Sequence, residues 1–157
     1  MNVTAAFVLP LLIGVIAGLR AMTAPAAVSL AARAGWLDLS ATPLAFLGYA
    51  FTPWIFTVLA LGELVTDQLP TTPSRTVPIQ FGTRILMGGL TGGAIGASAG
   101  SLGTGVVAGM IGAIAGTLGG RAVRARLAAA FGSDRPAAII EDLIAIGGAA
   151  LIVSALR

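Results

Sequence analysis

The chain has 157 residues, of which 57% are hydrophobic and only 10% charged, with a mean hydropathy of +0.98. A soluble domain is about 25% charged, so this chain lacks the polar residues to cover a water-facing surface, and its apolar content excludes disorder. All nine basic residues are arginine, the acids are Asp38, Glu63, Asp67, Asp134, Glu141 and Asp142, and histidine and cysteine are absent, which removes thiol nucleophiles, Cys or His metal sites, His general bases and Schiff-base lysines.

The length suits one domain, or about five spans of ~20 residues with short loops. The expected fold is therefore all-α: a polytopic helical membrane protein of about five spans, some of them broken, in a single integral domain over residues 1–157. The net charge of +3 is carried by arginine, and arginine beside a membrane explains it better than nucleic-acid binding does.

Residues 4–34 are apolar apart from Arg20, Arg33 and a few hydroxyls. The stretch is too long for one straight span at ~1.5 Å per residue, and a broken or tilted helix, interrupted near Gly18-Leu19-Arg20, is expected. A signal peptide is a poor fit, because no basic segment precedes the apolar run. Gly35 to Pro43 is a loop in which Trp36 suits the membrane interface. Residues 44–69 form the second apolar block, with a main span over 53–69 ending in Glu63 and Asp67. The proline-rich segment 70–78 is a stiff loop. A third span is expected over 79–99 with Arg84, a fourth over 103–121 running into Arg121, Arg124 and Arg126, and a fifth over 136–156 opening with Glu141-Asp142.

Fourteen of the 22 glycines lie between 82 and 120, many four residues apart. In lipid such a stripe lets two helices pack closely, either spans three and four or two copies of the chain. The positive-inside rule places the 121–135 segment and Arg75 in the cytoplasm, which puts the N-terminus inside and the C-terminus outside. Segments 4–69 and 103–157 share an Arg-containing glycine turn followed by an acid pair. An inverted-topology repeat is expected from this, although shared alanine and glycine content produces the same likeness.

The charged residues suggest a site. Glu63 and Asp67 share a helix face and repel unless neutralised, with Arg84, Arg75 and Arg121 as candidates. Intramembrane ionisable groups mark function by default, and Arg20, Glu63, Asp67, Arg84, Arg121 and Glu141 are the expected substrate-binding residues, with Asp142 nearby. Structural ion-pair networks share these features. Arg20 cannot shed its proton and has no local acid, so it needs a distant carboxylate, a carbonyl, water or an anion.

The segment Glu63 to Thr76 resembles part of the undecaprenyl-pyrophosphate phosphatase family, with Asp67 as the second acid and Ser74-Arg75 in the same loop. That likeness implies phosphate chemistry in which Glu63 and Asp67 hold any metal and Arg75 grips phosphate. A second resemblance spans nearly the whole chain. Gly18-Leu-Arg20-Ala-Met-Thr-Ala-Pro25, Gly62-Glu63-Leu-Val-Thr-Asp67-Gln-Leu-Pro70-x-x-Pro73-Ser-Arg75-Thr and Glu141-Asp-Leu-Ile-Ala-Ile-Gly-Gly148 look like the bacterial domain-of-unknown-function 4126 family of small integral membrane proteins.

The leading expectation is a small transporter or channel-like protein for an ion or small charged solute, without catalytic residues or a cofactor. The alternatives are a membrane enzyme or flippase acting on a phosphorylated, polyprenyl-type lipid, and a structural membrane protein. The expected partners are the lipid bilayer of the bacterial inner membrane, the solute and a second copy of the chain in a homodimer or higher homo-oligomer, with no nucleic acid.

Overall fold

The computed structural model describes residues 3–67 and 76–157. Among them every regular element is helical: α1 (Val3–Leu19), α2 (Thr23–Arg33), α3 (Thr52–Thr66), α4 (Pro78–Ser98), α5 (Leu102–Phe131) and α6 (Asp134–Ser154), with one 3-10 turn at Ala45–Gly48. The proline-rich segment expected as a loop falls largely on residues 68–75, outside the described residues.

Local chemistry sets the boundaries. Pro53 and Pro78 stand in the first turns of α3 and α4, where a missing N–H costs nothing. Gly132 at φ 66° closes α5 in the left-handed conformation that favours glycine, and Asp134 then places a carboxylate in the first turn of α6. Helix α5 continues through Arg121, Arg124 and Arg126 to Phe131, so those arginines lie on a helix. α5 and α6 are long and apolar enough to cross a membrane, by length and composition.

Glycine makes α5 the centre of the packing. A Cβ on Gly92 would meet the Gly105 carbonyl oxygen at 2.5 Å, and one on Gly88 the Gly109 carbonyl oxygen at 2.6 Å. Rising numbers on α4 thus meet falling numbers on α5, and the two are antiparallel. On another face of α5, Gly112 lies against Leu11 and Val15, and Gly116 against Val15 and Gly18. There the numbers rise together, so α1 runs parallel to α5. Gly88, Gly92, Gly105 and Gly109 are thus packed between α4 and α5, and Gly112 and Gly116 between α5 and α1, within one chain.

That direction of α1 changes the expected path of the chain. Residues 4–34 do not form one crossing broken midway. The chain turns back at Arg20-Ala21-Met22, and α2 returns beside α6 until Trp36 meets Arg157. The Val3 end of α1 thus lies at the same end of the bundle as Ser154, and opposite the arginine-rich end of α5. A core of Ile13, Ile16, Val28, Leu47, Ile95 and Ala145 fills the space among α1, α2, α4 and α6. Helix α3 stands at the edge. Pro53 and Ala60 are its buried residues; it packs on α2 and the 45–48 turn, and exposes Trp54, Ile55, Val58 and Val65.

Candidate functional site

The turn between α1 and α2 leaves backbone groups that a regular helix would pair. The last carbonyls of α1 point one way and the first N–H groups of α2 the other. Side chains from three other helices close both sets. Arg84 Nη1 of α4 donates to the Gly18 and Leu19 carbonyls at 2.8 and 2.7 Å, and Thr117 Oγ1 of α5 also donates to the Gly18 carbonyl. From α3, the Glu63 carboxylate accepts the N–H of Ala21 on Oε1 and that of Met22 on Oε2, both at 2.8 Å. A cation thus caps the negative end of α1 and an anion the positive end of α2, as the helix dipoles favour. The two caps also meet, with Arg84 Nη2 3.4 Å from Glu63 Oε1.

Arg20 occupies the turn itself and is 0% exposed. Its Nε donates to Asp142 Oδ1 at 2.7 Å, its Nη2 pairs with the same oxygen, and its Nη1 donates to Asp67 Oδ2. One guanidinium thus joins the C-terminal end of α3 to α6. Little else does, because α3 does not pack on α6 as it does on α2.

The structure brings together four of the six expected site residues: Arg20, Glu63, Asp67 and Arg84, with Asp142 as a fifth member. Glu141 is buried but belongs to a neighbouring pair, where Arg124 Nη1 reaches Glu141 Oε2 at 3.2 Å while its Nε and Nη2 hold Asp134 at 2.9 and 2.6 Å. Arg121 stands apart, exposed, donating to Thr76 Oγ1 at 3.3 Å. Among the described residues Arg20 pairs with Asp67 and Arg84 with Glu63; Arg75 lies outside the described residues. Arg124 is the residue that sequence reasoning missed. The signal was its spacing: it follows the buried Thr117 by two turns on one face of α5.

No group of three His, Cys, Asp or Glu among the described residues is placed to hold a metal ion. Glu63 and Asp67 face N–H and guanidinium donors, an arrangement that binds cationic and N–H partners.

Loss of the Glu63 cap has a local consequence. In Glu63→Gln the amide nitrogen cannot accept, so one of the Ala21 and Met22 N–H groups loses its partner. The expected cost is about 2 kcal/mol, the usual value for a hydrogen bond to a charged group. Hydrogen exchange at those two amides should quicken roughly 10- to 100-fold while amides in the middle of α5 stay protected; unchanged exchange would contradict the capping role.

These observations define a class: a helical, strongly apolar chain with a turned-back helix pair, whose two buried arginines, Arg20 and Arg84, converge on the turn. Residues 6–155 match the family described as Domain of unknown function (DUF4126), and the chain belongs to that family. No curated protein and no solved structure matches it.

Proposed function

We propose that the chain is a multi-pass membrane protein of the inner-membrane type that moves an ion or small charged solute, with Arg20, Glu63, Asp67, Arg84 and Asp142 forming its site. The observation that carries this is the buried Arg20 guanidinium at a helix turn, shared between carboxylates on two helices that otherwise scarcely pack. In lipid an ion pair of this kind is costly and is kept where charge must be handled, and turned or broken helices are where transporter sites form. A cation or proton competing for Asp67, or an anion competing for Arg20, would part α3 from α6. The pair then acts as the gate, with α3 as the moving element.

Orientation follows from the arginines. With the end of α5 that carries Arg121, Arg124 and Arg126 in the cytoplasm, the turn at Arg20 lies toward that side. Because α1 runs parallel to α5, the N-terminal end of α1 then lies outside, the reverse of a single broken crossing over 4–34.

The test is flux through phospholipid vesicles containing the purified protein. Wild type should pass protons, an alkali cation or a small organic anion, and Asp67→Asn should fall to the level of empty vesicles. Absence of flux for every solute in the wild type would defeat the proposal. A structural reading draws support from one observation, that the Arg20 guanidinium lies against two carboxylates and Glu63 accepts two backbone N–H groups; it predicts that Asp67→Asn alters melting alone.

A further inference from the structure

We propose that the cleft between α2, α3 and α6 binds one acyl chain of an anionic phospholipid. The inference stands on its own observations and does not rest on the transport reading. The cleft has a volume of about 540 Å³ and is walled mainly by alanine and leucine side chains, within the usual size of a ligand site. Helix α2 forms its floor, with α3 and α6 as walls. Since α3 and α6 do not pack on one another, the cleft stays open along its length. Its deep end is at Thr23, Leu64 and Ile146, just above the Arg20 network. Its mouth is at Ala34, Trp36 and Ser154.

Length and charge select the occupant. From Thr23 to Ala34 the helix rises about 17 Å at 1.5 Å per residue. That is close to half of the ~30 Å hydrocarbon thickness, so the cleft takes a chain from one leaflet and stops near the midplane. The mouth carries the groups that hold an anionic headgroup at an interface. The Arg157 guanidinium lies 5.3 Å from the centroid of the Trp36 ring. Exposed Arg33 ends α2 at the residue before Ala34, and neither arginine forms an ion pair among the described residues.

The two tryptophans make the test direct. Trp54→Phe, at an exposed position on α3, leaves Trp36 as the sole reporter. The full chain is placed in phosphatidylcholine vesicles containing phosphatidylglycerol brominated on its acyl chains. Quenching of Trp36 should saturate, and unbrominated phosphatidylglycerol should reverse it. Ala150→Phe, at an exposed position on the cleft wall, should weaken it at least tenfold. Arg33→Gln with Arg157→Gln should erase the preference for phosphatidylglycerol over phosphatidylcholine, about fivefold per arginine and so roughly 30-fold together. Neither change touches the core, and a retained melting temperature confirms the fold. Equal quenching by both lipids, or quenching indifferent to Ala150→Phe, would mean an ordinary lipid annulus and overturn the proposal. So would disulfide crosslinking between chains through Ala150→Cys with no quenching, which would assign the cleft to a second copy.

Discussion

Arg20→Met is expected to destabilise the fold by about 3–5 kcal/mol, the cost of leaving a buried charge without its partner. Three contacts vanish together, and the larger effect is on what remains. Asp67 and Asp142 reach toward the same guanidinium, so its removal takes away the cation those two carboxylates share. For a chain of this size the loss corresponds to a fall in melting temperature on the order of 10 °C. The triple variant Arg20→Met, Asp67→Asn, Asp142→Asn removes all three charges and should recover most of it, since replacing a whole buried network by neutral groups of similar volume is often neutral or stabilising. Thermal melts in mild detergent measure both. A triple variant as unstable as Arg20→Met would show that the turn itself, and not the charge balance, needs arginine. The same pair of variants separates the functional readings. If the network serves transport, the triple variant is stable and carries no flux; if it is structural, the triple variant is merely stable.

Some of this site could be read from the residues. Arg20 stood within an apolar run with no acid nearby, so a distant partner was required. Which partner could not be read, because Asp67 and Asp142 lie 47 and 122 residues away and nothing local distinguishes them from Glu63 or Glu141. Four residues separate Glu63 from Asp67, which puts both on one face and suggests a shared neutraliser. The structure divides them instead. Asp67 at the helix end reaches the Arg20 side chain, while Glu63 one turn earlier meets the backbone of the α1–α2 turn. Backbone acceptors and donors left by a helix break have no signature in side-chain sequence, so the capping roles of Glu63 and Arg84 stayed hidden. The turn was legible as a break near Arg20, but its angle was not. An apolar run of about 30 residues is compatible with one bent crossing or with two helices folded back, and the choice decides which side every earlier residue faces. Only packing against α5 resolves it.

Glycine spacing predicts close helix contact, and Gly109 is where that contact should be least forgiving. It lies between α4 and α1. A Cβ there would fall 3.0 Å from the Gly92 Cα and closer still to the backbone of Gly88, while the Cβ of a residue at position 14 on α1 would run into the backbone of Gly109 itself. Those neighbours are main chain, so no side-chain rotation relieves the clash, and two helices must move apart. Gly109→Ala should therefore cost about 1–3 kcal/mol or more, the range for overpacking a close-packed interior. Gly109→Leu should prevent assembly of the α1–α4–α5 core. The control is Gly119→Ala on the same helix, where nothing lies within 4 Å of an added Cβ. There alanine removes backbone freedom from the unfolded chain and should stabilise by about 0.4–1 kcal/mol. Melting temperatures moving in opposite directions for the same chemical change, ten residues apart on one helix, would establish that α5 is held by backbone contact through its glycines. If Gly109→Ala is neutral, the three helices must be further apart than the geometry requires.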